Sequence, residues 1–196
     1  FTDFGDKMRV SLAHKPALNL TGPYAPALVQ AGGEEIIQKL NAALSRAGIS
    51  LPALNIEIEK NIPLGGGLGG GSADGAGYLK CLIKMGLLDL PDTEIREIAA
   101  DIGADIPVCM HGDLQLMQGK GEILTPLNPP SQMPYCVLAN PQQHVSTAQI
   151  FSALTMTHSS ASPAAAEIQQ MSDAGEWQEL IQLGNHLTNP AIEFAP

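Results

Sequence analysis

The run Pro63-Leu64-Gly65-Gly66-Gly67-Leu68-Gly69-Gly70-Gly71-Ser72 constrains what this chain can build more than any other segment. Just before it, Leu54-Asn55-Ile56-Glu57-Ile58-Glu59 alternates apolar and polar residues, which is the period of a strand with one wet face. Just after it, Ala76, Leu79, Leu82 and Ile83 recur at helical spacing within Ala73 to Lys84, and Gly86 closes that helix. A strand, a glycine turn and a helix in this order bring consecutive backbone N–H groups toward one point. The six glycines remove the side chains that would hold an anion away from it. The positive end of the helix adds roughly 0.3–1 kcal/mol in favour of negative charge. Phosphate fits this chemistry.

Three other readings compete for the same residues. A flexible glycine linker is rarely clamped between an alternating strand and an amphipathic helix within a few residues. A Walker loop ends in Gly-Lys-Ser/Thr, whereas Gly71 leads straight to Ser72. Gly65, Gly67 and Gly70 formally satisfy G-x-G-x-x-G, but the first strand of a dinucleotide fold is buried on both faces, and Ile56-Glu57-Ile58-Glu59-Lys60 alternates with charge.

The second informative segment is Gly103-Ala104-Asp105-Ile106-Pro107-Val108. It follows a helix written by Ile95, Ile98, Ala99 and Ile102, with Pro91, Asp92 and Glu94 at its start, and it precedes what reads as an apolar strand. Gly103 supplies the helix exit and Pro107 stiffens the turn, leaving Asp105 as the charged group there. Such a carboxylate either braces the turn or orients and deprotonates an attacking hydroxyl.

Elsewhere, Met8 to Leu12 and Ala17 to Leu20 read as a hairpin pair, and Ile36 to Leu44 as a helix closed by Gly48. Strands are expected at Asp113 to Met117 and Glu122 to Leu124. The Pro-rich joint Pro126 to Pro134 marks a boundary between a domain at 1–130 and a second at 131–196. Beyond it, Tyr135 to Ala139 reads as an apolar strand, Ser146 to Leu154 as a helix, Thr155 to Pro163 as loose, and Ala164 to Leu187 as helical.

With 196 residues, 44% of them apolar, the chain can bury a real core. Its net charge of −10, with ten Lys and Arg, offers no basic stripe for nucleic acid or an anionic bilayer. Without a long apolar stretch or a secretory-type start, the chain reads as cytoplasmic. Cys81, Cys109 and Cys136 lack C-x-x-C pairing and read as buried reduced thiols, and the five histidines show no metal-ligand spacing, so no metal ligand is named.

The glycine run with Ala73-Asp74, followed by Gly103-Ala104-Asp105-x-Pro107, resembles the GHMP kinase superfamily, and within it the branch acting on cytidine-diphosphate methylerythritol in the non-mevalonate isoprenoid precursor pathway. Phe1 to Asp6, Gly119-Lys120-Gly121-Glu122, Ser146 to Phe151 and Gly184 to Leu187 resemble further stretches of that branch, in order along the chain. The resemblance implies an α+β GHMP kinase fold: a ribosomal-S5-domain-2-like N-terminal domain and a ferredoxin-like C-terminal domain, both truncated. It implies ATP and Mg2+ as cofactors, with Pro63, Gly65, Gly66, Gly67, Leu68, Gly69, Gly70, Gly71 and Ser72 holding the triphosphate and Asp105 as the catalytic carboxylate. Phe151 matches an aromatic that stacks on the substrate's cytosine in some members, with Thr147 near the same pocket; Phe151 as plain core is the competing reading. The implied partner is a small-molecule substrate, not nucleic acid or membrane.

The sequence also departs from the pattern. The family's Lys, Asn and His of the N-terminal strand and loop fall upstream of Phe1, and its glycine-rich C-terminal segment falls downstream of Pro196, so the sequence reads as a fragment of a longer chain. Glu34-Glu35 stands where the family has an Asn near the adenine, and His186 where it has an acid. An inactive remnant, a nucleotide-binding pseudokinase of the same fold, or a kinase for another small molecule is the alternative.

Overall fold

A computed structural model describes residues 4–30, 32–132, 135–139, 147–154 and 164–194. The chain opens with β1 (Lys7–Leu12) and β2 (Ala17–Thr21), then α1 (Ala25–Gln30), α2 (Glu35–Arg46) and β3 (Leu54–Glu59). The strand order is β1-β3-β2, with β3 antiparallel to β1 and parallel to β2. The two N-terminal strands form as expected, but they are not a hairpin. β3 inserts between them because its strict alternation offers three buried residues, Leu54, Ile56 and Ile58, that need an apolar neighbour on each side. Val10 and Leu18 both lie in register with Ile56.

The opposite face of this sheet is wet, as its alternation requires. Arg9 faces Glu57 and Lys7 faces Glu59 across the β1–β3 ladder, with ion pairs of 3.7 and 3.2 Å, and Asn19 Nδ2 donates to Asn55 Oδ1 at 2.8 Å. Such exposed pairs contribute little to stability. The inner face carries the core: Ile37, Leu40 and Leu44 of α2 pack with β3 and with Ala76, Tyr78, Leu79 and Leu82 of α3 (Gly70–Lys84). Each fully buried aliphatic side chain there contributes about 1.5–3 kcal/mol. Tyr78 is buried with its hydroxyl donating to Asn41 Oδ1 at 2.6 Å, which satisfies the one polar atom it brings inside.

Next come α4 (Asp92–Ile102), α5 (Ile106–His111), β4 (Gln115–Gln118) and β5 (Ile123–Pro126), the last two paired as a two-stranded sheet. The segment after Asp105, read from its apolar run as a strand, is the helix α5 instead. Pro107 sits in its first turn, where its missing N–H costs nothing, and the buried Ile106 anchors it to the core. A short apolar run does not by itself separate a buried strand from a buried helix.

The remaining helices are α6 (Thr147–Ala153), α7 (Ala165–Ala174), α8 (Trp177–Gln182) and α9 (Thr188–Phe194). The helical stretch expected over 164–187 is broken at Gly175, which closes α7 in the left-handed region at φ 75°. Tyr135 to Ala139 form no strand: the segment is exposed and no strand among the described residues pairs with it. The stretch expected to be loose, Thr155 to Pro163, lies outside the described residues.

The chain divides into two units, one of 1–64, 68–113 and 117–124, the other of 65–67, 114–116 and 125–196. Within the second, Asn128 N–H donates to Ser172 Oγ at 2.9 Å and Asn128 Nδ2 to Asp173 Oδ1 at 2.8 Å, tying the segment after β5 to α7. Cys81 and Cys109 are half-buried, but Cys136 is exposed, against the expectation of three buried thiols. Among the described residues no helix is long and apolar enough to cross a membrane.

Candidate active site

The end of the glycine run, Leu68 to Ser72, and the Asp105 turn both lie in the first unit. α3 starts inside the run, three residues earlier than Ala73, with Gly69 as its N-cap in the left-handed region at φ 68°. Only glycine adopts that conformation without strain, and it turns the chain from the loop into the helix. The first helical hydrogen bond is from Ala73 N–H to Gly69 O at 2.8 Å, so the N–H groups of Gly70, Gly71 and Ser72 lie ahead of it at the positive end of the helix. No side chain caps them. Gly65 and Gly67 also take positive φ, at 67° and 68°, so that left-handed residues recur at every second position, the backbone pattern of an anion-binding nest. Gly65, Gly66, Gly67 and Leu68 are exposed, and Pro63 is half-buried at the entry.

The glycines of the run differ in what surrounds them. A Cβ on Gly71 would meet nothing within 4 Å, whereas one on Gly70 would meet Ile62 at 3.0 Å and approach Asp6 Oδ2 at 3.7 Å. Gly70 is therefore a packing glycine, whereas Gly71 has room for a side chain. Across that end of α3, the Cβ direction of Gly103 leads to Ile106 at 3.3 Å and to Ser72 Oγ at 3.8 Å. Ser72 thus lies beside the residue two before Asp105. Asp105 itself is exposed, is the N-cap of α5, and makes no side-chain capping bond.

A second cluster escaped the sequence reading. Lys60, which directly follows β3 and precedes the glycine run, is buried with Asp6, Asp74 and Glu34 around it. Its Nζ donates to Asp6 Oδ2 at 2.5 Å and to Asp74 Oδ2, and Asp6 Oδ1 accepts the N–H groups of Asn61 (2.5 Å) and Ile62 (2.8 Å). One ion network therefore fixes the chain on both sides of the glycine run, at Lys60 to Ile62 and at the first turn of α3. Glu34 Oε2 is buried and finds no hydrogen-bond partner among the described residues.

One cation cannot neutralise three buried carboxylates, and the protonation states follow from that. Burial disfavours the Lys60 charge, but its hydrogen bonds to Asp6 and Asp74 prevail and hold its pKa above the usual lysine value. Burial pushes Asp74 up to about 7, a rise the Lys60 bond only partly offsets, and burial likewise raises Glu34. Asp74 is protonated in the unfolded chain only near or below 3.8, so its stabilising effect is complete at low pH and is lost as pH rises through about 7. Between pH 5.5 and 8.5 the expected loss through this group is about 2 kcal/mol. Asp74→Asn keeps an acceptor for Lys60 and removes that slope. Urea unfolding of both proteins at the two pH values checks this, and equal slopes contradict it.

Thr147 opens α6 and its side chain lies outside the described part; Phe151, on the same helix, is 56% exposed and is not core in this unit.

The residues 34–113 match the model of the GHMP kinases N-terminal domain. A protein of Paramagnetospirillum magneticum named 4-diphosphocytidyl-2-C-methyl-D-erythritol kinase is 35% identical over 196 residues, covering 100% of this chain and 67% of its own length. The chain belongs to the 4-diphosphocytidyl-2-C-methyl-D-erythritol kinase family. The family member of Mesorhizobium japonicum is 32% identical over 197 residues, covering 100% of this chain and 66% of its own. A crystal structure of a 4-(cytidine 5'-diphospho)-2C-methyl-D-erythritol kinase matches with a TM-score of 0.61 at 25% identity, covering 97% of this chain and 65% of the solved one. The chain thus spans about two thirds of the length of the family members it matches. Its mixed helix and strand content and this match agree with the expected α+β GHMP kinase fold.

Proposed function

We propose that the protein containing this chain is a cytoplasmic enzyme transferring the γ-phosphoryl group of ATP to a hydroxyl of 4-diphosphocytidyl-2-C-methyl-D-erythritol. The observation that carries the reading is the placement of Ser72, at the anion-facing end of α3, beside the turn that bears Asp105. In this reading Pro63 to Ser72 hold the triphosphate, the N–H groups of Gly70, Gly71 and Ser72 donating to phosphate oxygens. Asp105 orients the acceptor hydroxyl and takes its proton as the new phosphate ester bond forms. Bound MgATP supplies the phosphoryl group and the cation that offsets its charge. A Mg2+ ion there would be held mainly by the phosphates with one or two carboxylates. Thr147 and Phe151 are assigned to the cytidine end of the substrate, the exposed ring of Phe151 being suited to stacking. The second domain of the enzyme is taken to begin after residue 130.

Gly71→Val tests the phosphate site. The added side chain has no neighbour to strike and the backbone there is not left-handed, so the fold is expected to be unchanged. ATP affinity in calorimetry is expected to fall at least 100-fold. Unchanged affinity, with an unchanged melting curve, contradicts the assignment of the loop.

A further inference from the structure

The turn Gly119-Lys120-Gly121-Glu122 between β4 and β5 plays no part in the reading above, yet its backbone presses on the Asp105 turn. A Cβ built on Gly121 falls 2.0 Å from Ala104 O, 2.8 Å from its carbonyl carbon and 3.1 Å from its Cα. Gly121 also has φ 104°, so glycine is required there for conformation as well as for space. The turn is braced from within: Gly121 N–H donates to Gln118 O at 3.1 Å and Lys120 N–H to Glu122 Oε2 at 2.6 Å. On the other side, Ile106 is fully buried and its N–H donates to Gly103 O at 3.0 Å. Ala104 and Asp105 are therefore held between the buried Ile106 and the backbone of the β4–β5 turn.

We propose that Gly121 is a positioning residue: the β4–β5 turn is a backstop that fixes the Asp105 carboxylate relative to Ser72 and hence to the acceptor hydroxyl. The proposal rests on the reading of Asp105 as the carboxylate that takes the hydroxyl proton. A Cβ contact shorter than 3.0 Å is not tolerated, so any side chain at position 121 displaces either the turn or the Ala104 carbonyl by about 1 Å. A shift of about 1 Å in a positioned group is enough to cost about 100-fold in rate. The glycine loop is not part of this contact, so nucleotide binding is spared.

The test uses the whole protein with MgATP and 4-diphosphocytidyl-2-C-methyl-D-erythritol. Gly121→Ala is expected to lower kcat about 100-fold while the KM for ATP changes less than about threefold, and to speed amide exchange over 103–106 without changing it in α3. Gly86→Ala is the matched control: Gly86 also takes positive φ, at 69°, but a Cβ there meets nothing within 4 Å, so the backbone strain comes without the clash and kcat is expected to stay within about threefold of the parent. Unchanged kcat for Gly121→Ala, or an equal loss in both variants, overturns the proposal. If Gly121→Ala does not fold, Glu122→Ala decides: it removes the brace on Lys120 without adding atoms, and an about tenfold loss of kcat at constant KM is expected, full activity being the contrary result. A parent that transfers no phosphoryl group refutes the functional reading, but the exchange data still decide this proposal, since unchanged exchange over 103–106 overturns it.

Discussion

Asp105→Asn in the whole protein is expected to lower the rate of phosphoryl transfer by roughly two to four orders of magnitude and to leave ATP affinity as it was. The separation of the two effects follows from where the residue sits. The Asp105 side chain is exposed and caps no backbone N–H of α5, so the amide replaces it without breaking a structural bond. Stability is then expected to stay within about 0.5 kcal/mol. In the proposed role, asparagine would still reach the acceptor hydroxyl but could not take its proton. Pre-steady-state transfer measured beside calorimetric ATP binding separates the outcomes. Equal transfer by variant and parent places the base elsewhere, and loss of both binding and transfer makes Asp105 a structural brace of the turn.

The largest expected effect on stability belongs to Lys60→Met. Methionine is about as long as lysine, so the space stays filled, but the buried carboxylates of Asp6 and Asp74 lose their cation. Breaking one side of a buried ion pair costs about 3–5 kcal/mol, against a total stability of about 5–15 kcal/mol for a typical domain. The deficit is expected to grow with pH. Asp74 and Glu34 are already raised by burial, and without Lys60 they bind protons still more readily, so acid solution partly repairs the variant. Because the same network fixes the chain on both sides of the glycine run, ATP affinity should fall as well. Chemical denaturation at pH 5.5 and 8.5 checks the claim; a variant as stable as the parent at pH 8.5 contradicts it.

Much of the fold is legible in the sequence. The alternation of β3 and the helical spacing of α2, α3 and α4 set those elements to within a few residues, because each carries a periodic apolar face. The β1–β2 pairing was not legible. Two strands close in sequence suggest a hairpin, and nothing local reports that β3, more than thirty residues later, lies between them. α1 escaped because Ala25 to Gln30 is too short to show a period. The Lys60 cluster did leave a signal that went unused. Leu54, Ile56 and Ile58 point inward, and the same parity continues to Lys60, while Asp74 lies one turn ahead of Tyr78 on the buried face of α3. A charge at an inward position of each element is a sign that the two charges meet. The pressure of Gly121 on Ala104 has no such signal, since a backbone contact between distant turns leaves no period.

The most direct test of the central claim is phosphorus NMR of the whole protein mixed with MgATP and 4-diphosphocytidyl-2-C-methyl-D-erythritol. The prediction is a new phosphomonoester resonance on the substrate, growing in step with ADP and absent in the Asp105→Asn protein over the same time. ATP that binds and persists, or ADP that accumulates with no phosphomonoester on the substrate, contradicts it.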